Sequence, residues 1–126
     1  MANSASTWTE NASASNATAT ASHAAVVGKS HYITGIIVSC KDYNGVQGIT
    51  LTVTVKDDTT AILEFACSST GHDDYDPTGQ PVIINFSSPI QITEGKAVSV
   101  EVAGATTYET AYANIWGFTS ATRQED

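Results

Sequence analysis

Residues 49–67, ITLTVTVKDDTTAILEFAC, contain the clearest structural signal in the chain. Ile, Leu and Val alternate with Thr over residues 49–55, so the aliphatic side chains share one face of a strand and the hydroxyls share the other. The polar residues 56–59 then reverse the chain, and Leu63, Phe65 and Cys67 fall on one face of a returning strand. The stretch therefore predicts a β-hairpin with a buried face and a hydroxyl-rich face that meets water.

Further strand signals follow along the chain from Gly28. Strands are predicted at residues 31–40, 82–88, 98–102 and 108–119, with a short edge segment at 90–93. Together with the hairpin they make seven or eight short strands, and no helix is required. This number and spacing favour an all-β fold, a single jelly-roll-like β-sandwich.

The last predicted strand presents its large side chains on one face. These are Tyr112, Asn114, Trp116 and Phe118. Tyr112 and Trp116 are interpreted as core or interface residues, and the alternative is an aromatic platform for sugar rings, to which Tyr75 and Tyr108 would also contribute.

The choice of aliphatic residues supports the same fold class. The chain has 10 Ile and 10 Val but only Leu51 and Leu63 as leucines. Branching at Cβ restricts a side chain in a helix and suits the pleated surface of a sheet. The 18 Thr residues add to this β-branched character.

Residues 1–27 differ from the rest, because they consist almost wholly of Ala, Ser, Thr and Asn. Small-residue alternation over residues 17–21 predicts an extended N-terminal arm with one thin strand near 16–26, and the alternative is an arm without fixed structure. The predicted division is therefore an arm, 1–27, and a β-sandwich domain, 28–126. The residues proposed to contact other subunits are Trp8, Ala17, Ala19, Ala21 and Trp116.

The composition argues against several classes of protein. Five Lys and Arg against 13 Asp and Glu give a net charge of −8, which is unsuited to binding nucleic acid. No apolar run is long enough for a membrane helix, and no secretory signal is visible at the start. No nucleophile elbow, phosphate-binding loop or metal-protease motif occurs, so we expect neither an enzyme nor a bound cofactor.

The only candidate metal-binding loop contains Asp73, Asp74 and Asp76. Carboxylate oxygens suit Ca²⁺, but the spacing does not match an EF-hand, so an ordinary acidic surface loop is the stronger interpretation. His23, His31 and His72 show no metal-ligand spacing, and we expect His31 to be a hydrogen-bonded histidine at the edge of the core.

Cys40 and Cys67 each end a predicted strand, on segments that could be neighbours in the fold. Two interpretations stay open for them. They are buried free thiols, since Cys behaves as a small hydrophobe, or they form a disulfide if the chain meets an oxidising environment.

Three stretches carry a resemblance to a known group of proteins. They are AVVGKSHYITGI at 25–36, IQITEGKAVSV at 90–100 and NIWGF at 114–118, and they follow an Ala/Ser/Thr-rich start. In this layout the chain resembles the small β-sandwich proteins that decorate or cement the capsids of tailed bacteriophages. The resemblance covers the chain from about residue 18 onward, and the Cys pair and the acidic loop depart from it.

The resemblance implies a structural virion protein, made in the host cytoplasm and seated on the capsid surface. Its implied partners are the major capsid protein and further copies of itself, as a homotrimer, and it implies no catalytic residues. The alternative function is a carbohydrate-binding or host-adhesion module on the virion, which would share the fold and composition.

Overall fold

A computed structural model describes residues 6–42, 49–69, 81–105 and 109–121, without the side chains of residues 42 and 121. Those residues form eight strands and no helix. The strands are β1 (Ser6–Ser15), β2 (Ala19–His23), β3 (Lys29–Asp42), β4 (Ile49–Asp57), β5 (Thr60–Ser69), β6 (Val82–Gln91), β7 (Val98–Ala103) and β8 (Glu109–Ala121).

The strands form two four-stranded antiparallel sheets that pack face to face. The first sheet has the order β1-β8-β3-β6 and the second the order β2-β7-β4-β5. Four of the strand pairs are nested along the chain. The innermost pair is β4 with β5, and it is enclosed in turn by β3 with β6, by β2 with β7 and by β1 with β8. This is the strand order of an eight-stranded jelly roll, so the predicted fold is confirmed.

The core lies between the sheets and is built from alternate residues of each strand. Val53, Val55 and Val100 of the second sheet are fully buried, as are Ile36 and Ile115 of the first. Their neighbours in sequence point to the outer faces, because successive side chains of a strand alternate. The β4–β5 hairpin is therefore confirmed, with Thr50, Thr52 and Thr54 on the outer face of the second sheet.

The structure differs from the predicted arm at residues 6–23. This segment supplies β1, which pairs with β8 along its whole length, and β2, which pairs with β7. Trp8, Ala19 and Ala21 are buried in the common core, so no boundary separates residues 6–23 from the sandwich. The reason is that small side chains let two sheets approach closely, and Ala in a strand can therefore bury as fully as Ile.

The last strand, β8, turns its aromatic side chains away from the core. Ala111, Ala113 and Ile115 are the fully buried residues of β8, whereas Tyr112 and Trp116 lie half-buried on the outer face of the first sheet. Of the two roles predicted for these aromatic side chains, core or interface, the core role is therefore excluded, and the interface role stays a prediction.

Two glycines, Gly35 and Gly117, allow the central strands β3 and β8 to pair closely. The pairing shifts register between Ile33 and Gly35, and the ring of Trp116 lies where a side chain at Gly35 would project. Gly117 faces inward, and a β-carbon there would overlap the carbonyl oxygen of Tyr32. The close approach of β3 and β8 thus depends on the absence of a side chain at both positions.

Candidate interaction surface

The outer face of the first sheet carries large apolar side chains on three of its four strands, β3, β6 and β8. We call this surface the aromatic face. It contains Tyr32, Ile37, Ile83, Tyr112, Trp116 and Phe118, with Thr9, Asn11, Ser13, Asn85 and Asn114 around them. The rings of Tyr32 and Phe118 stack at a centroid distance of 4.8 Å, and Ile83 is 56% exposed.

The aromatic face has no carboxylate among the residues that the structure describes, although the chain carries 13 Asp and Glu. The outer face of the second sheet is different. There Lys56 Nζ lies 3.1 Å from Glu101 Oε2, and Thr54 Oγ1 donates to Glu64 at 3.3 Å. The two outer faces are therefore chemically distinct. One is aromatic and has no described carboxylate, with Lys41 as a positive charge near the end of β3, and the other is hydroxylated and carries charges of both signs.

A shallow groove crosses the aromatic face between β1 and β8. Its volume is about 420 Å³, and Asn11, Ser13, Tyr112 and Asn114 line it together with Ala12. Asn114 Nδ2 donates to the carbonyl oxygen of Ile37 at 3.1 Å. This bond fixes the orientation of the Asn114 amide, and the amide oxygen takes no part in it. A tyrosine ring beside amide and hydroxyl groups is able to hold a small polar ligand.

The sandwich opens along the side formed by edge strands β5 and β6. Because β3 packs against β5, the strand β6 extends past the edge of the second sheet. Its inward side chains Ile84 and Phe86 are consequently only partly buried, as are Leu63 and Phe65 of β5. We call these four residues the open strip. Within the described part of the chain, no strand pairs with the free edge of β5 or β6.

At the opposite side of the sandwich, three aromatic rings from three strands pack together. Trp8 stacks on His23 with centroids 4.6 Å apart, and His31 meets His23 edge to face at 4.7 Å. Glu10 Oε2 lies 2.7 Å from His23 Nδ1, so β1 and β2 are also joined by a polar contact. This cluster anchors the N-terminal strands to β3.

Burial favours the neutral ring of His31, and two hydrogen bonds set the tautomer of that ring. Its Nε2 lies 2.7 Å from the carbonyl oxygen of Ala24, which can only accept, so Nε2 carries the proton. Its Nδ1 then accepts from the hydroxyl of Thr119 at 2.7 Å. Burial lowers the pKa of His31, the Ala24 carbonyl opposes this, and the neighbouring His23 lowers the pKa further. The prediction of a hydrogen-bonded histidine at the core edge is confirmed.

Cys40 and Cys67 are free thiols buried between the two sheets, with exposures of 0% and 2%. They lie on facing strands, Cys40 on β3 and Cys67 on β5, and each thiol shifts the pKa of the other. The hydrogen bond from Cys40 lowers the pKa of Cys67, and the same bond together with burial raises the pKa of Cys40. No group of three or more His, Cys, Asp or Glu suited to a metal occurs among the described residues.

The residues proposed from sequence as subunit contacts fall into two groups. Trp8, Ala19 and Ala21 are buried in this chain's own core, whereas Ala17 is exposed between β1 and β2. Trp116 lies on the aromatic face. The acidic loop with Asp73, Asp74 and Asp76 lies outside the described residues, and so do Tyr75 and Tyr108.

Sequence reasoning missed the groove and the open strip. The groove unites residues about 100 positions apart, and only the β1–β8 register, with Asn11 opposite Asn114, brings them together. Alternation along β1 was the available signal, because Asn11 and Ser13 alternate there with Ala12 and Ala14.

No helix long and apolar enough to cross a membrane occurs in the described part of the chain. No family model matches the sequence. No curated protein matches it either. A solved structure that is similar is the virus-like particle of the extra small virus of the giant freshwater prawn Macrobrachium rosenbergii, at 8% identity and a TM-score of 0.42. The match covers 98% of this chain and 82% of that one, and a likeness this weak carries no functional argument.

Proposed function

We propose that this protein is a structural component of a tailed-phage virion that decorates the capsid, binding the major capsid protein through the aromatic face. The observation that carries the proposal is the aromatic outer surface of the first sheet, which has no carboxylate among the described residues. A chain with net charge −8 keeps carboxylates off this surface in every described position, although they occur on its other outer face.

The chemistry of the face suits a protein partner. Aromatic side chains bury large areas on association, and interface centres are rich in Trp and Tyr and poor in charged residues. Asn and Thr side chains around the rings form neutral hydrogen bonds at a lower desolvation cost than charged groups. Carboxylates on the second sheet would face outward and keep decorated particles from adhering to one another.

A matched pair of substitutions tests the role of the aromatic face. Thr9→Glu puts a carboxylate on this face, and Thr52→Glu puts one on the outer face of the second sheet; both threonines are exposed. We expect Thr9→Glu to weaken binding at least about 100-fold, because a charge buried without a partner is strongly unfavourable. Thr52→Glu should bind as the wild type does. Co-sedimentation with capsids of the encoding virus measures both affinities.

Equal binding by the two variants would contradict the proposal. A second readout is survival of the particles on heating, which should fall when the protein is absent or carries Thr9→Glu. Circular dichroism confirms that both variants remain folded before their affinities are compared.

The groove supports one alternative function, a carbohydrate-binding or adhesion module. Tyr112 offers a ring face, and Asn11 and Asn114 offer amides beside it. Binding of a glycan array by the wild-type protein, lost in Tyr112→Ala but kept in Thr52→Glu, would favour this alternative over capsid decoration.

We further propose that the open strip joins copies of the chain. The β5 edge of one copy would face the β6 edge of another, in the homotrimer that the resemblance to capsid decoration proteins implies. A second copy of the chain supplies two edge strands and apolar side chains that can pack against the open strip. Glu64 is the one charged residue on β5 and β6, so little charge is buried when they meet. This is the surface that we assign to self-association.

Ile62→Glu should dissociate the trimer. Ile62 is 40% exposed on the β5 edge strand, directly beside Leu63 of the open strip, and a carboxylate there would lie at the edge that meets the next copy. We expect the subunit affinity to fall at least about tenfold. Ser22→Glu, at the opposite edge of the same sheet, is the control and should leave association unchanged. Sedimentation equilibrium gives the mass; a wild-type monomer at every concentration would contradict the proposal.

A further inference from the structure

The thiols of Cys40 and Cys67 are both buried between the two sheets, one on each sheet, and each shifts the pKa of the other. The strand register explains their meeting. Cys67 pairs with Leu51 at the start of β4, and Cys40 lies near the end of β3, the strand that precedes β4. Both residues are therefore at the same end of the sandwich, and their strands, β3 and β5, pack against each other across it.

We propose that Cys40 and Cys67 form a disulfide between the sheets when the protein meets a peroxide, so that the two sheets become covalently joined. The chain then exists in two forms, a dithiol form as synthesised and a cross-linked form after oxidation. The proposal stands on the burial of both thiols between the sheets and on their positions at the same end of the facing strands β3 and β5.

The reaction uses the two thiols in different roles. Cys67 reacts first as the thiolate, stabilised by the hydrogen bond from Cys40. Its sulfur attacks one peroxide oxygen, the O–O bond breaks, and a sulfenic acid and water result. The Cys40 sulfur then attacks the Cys67 sulfur, the S–O bond breaks, and a second water leaves with the Cys40 proton. Two thiols and one hydrogen peroxide thus give one disulfide and two waters.

The cross-link falls where the sandwich is least closed. Cys40 lies on β3, beside the overhanging edge strand β6, and Cys67 lies on β5, the facing edge strand. Elsewhere the sheets are held by apolar packing, by non-covalent polar contacts such as that of Glu10 with His23, and by the chain's crossovers. A covalent bond on this side resists separation of the sheets next to the open strip.

The experiment uses the folded full-length protein and hydrogen peroxide. We expect the intact mass to fall by two hydrogen atoms, and non-reducing peptide mapping should recover one Cys40–Cys67 cross-linked peptide. Joining two positions 27 apart also constrains the unfolded chain, so we expect the melting temperature to rise by roughly 10 °C, a rise that dithiothreitol reverses.

Single substitutions test the separate roles of the thiols. In Cys40→Ser, Cys67 has no resolving partner, and mapping should find its sulfenic or sulfinic acid. In Cys67→Ser, Cys40 should stay reduced, because its own pKa is raised by burial. The Cys40→Ala/Cys67→Ala double variant should melt at the same temperature with and without peroxide.

Two outcomes would overturn the proposal. One is recovery of both thiols, alkylated after unfolding, from peroxide-treated wild-type protein. The other is a cross-link between chains rather than within one. Capsid binding plays no part in these measurements, so their result does not depend on the proposed function.

Discussion

Gly117→Ala is expected to destabilise the protein by at least about 3 kcal/mol, and to abolish folding if the margin is small. Gly117 faces the core on β8, opposite Ile33 of β3. A β-carbon at this position would overlap the carbonyl oxygen of Tyr32 and lie 3.0 Å from Cζ2 of Trp8. The backbone of β3 cannot yield without breaking the central strand pair, so the whole first sheet carries the strain.

Two further glycines provide controls for this prediction. A methyl group at Gly95 meets nothing within 4 Å, but the residue has a φ of 75°, so Gly95→Ala should cost only about 1 kcal/mol. Gly35→Ala would meet the ring of Trp116, a surface side chain that can swing outward, and should shift the tryptophan emission to longer wavelength. Urea unfolding of the three variants measures the differences. Equal losses at Gly117 and Gly95 would contradict the expected overlap.

His31→Ala is expected to lower the free energy of unfolding by about 3–5 kcal/mol at pH 7.5, and by less at pH 5.5. Its removal leaves a cavity beside Trp8 and His23. It also leaves the hydroxyl of Thr119 and the carbonyl of Ala24 without their buried partner. Each orphaned polar group adds its own desolvation cost to that of the cavity.

The dependence on pH follows from the direction of the pKa shift. The pKa of His31 is lower in the folded chain than the ordinary value of 6.5, chiefly because of burial. Below pH 6.5 the unfolded chain therefore binds a proton that the folded chain does not. Wild-type stability should fall as the pH falls through this range, by at most about 1.4 kcal/mol per pH unit. His31→Ala lacks this loss.

Unfolding at pH 7.5, 6.5 and 5.5 tests the prediction, since most carboxylates stay ionised there. His31→Gln is the matched variant, because an amide can both donate to Ala24 and accept from Thr119 without gaining charge. Its pH profile should be flat, like that of His31→Ala. His23 of β2 packs against the His31 ring, and Glu10 of β1 contacts His23. His23→Ala therefore measures how much these two residues contribute to the change of stability with pH. A constant difference between wild type and His31→Ala would refute the prediction.

The fold was largely predictable because period-two alternation is local. The β4–β5 hairpin and β7 followed directly from Val, Ile and Thr. Alternation also assigned the residues of β8 to two faces correctly, but it did not show which of the two faces points into the core. On hydrophobicity alone Trp116 belongs inside, yet the sheets approach so closely that β8 buries Ala111 and Ala113 and leaves the large rings outside.

The candidate surfaces were less predictable, because they depend on contacts distant in sequence. Ala19 and Ala21 have the composition of a loose arm, and only pairing with Val100 and Val102 shows them to be core residues. The cluster of Trp8, His23 and His31 likewise unites three strands. Cys40 and Cys67 were correctly expected to be neighbours in one of two chemical states, and strand order supplied the reason for their contact.

The nested strand order has a practical consequence for the ends of the sandwich. The start of β1 and the end of β8 are neighbours, with Ser6 opposite Thr119. Extensions built on either strand therefore leave the sandwich at the same pole. A short linker can also join the two ends, and a circular permutant opened at the β4–β5 turn near Asp58 would keep every strand pair of the jelly roll.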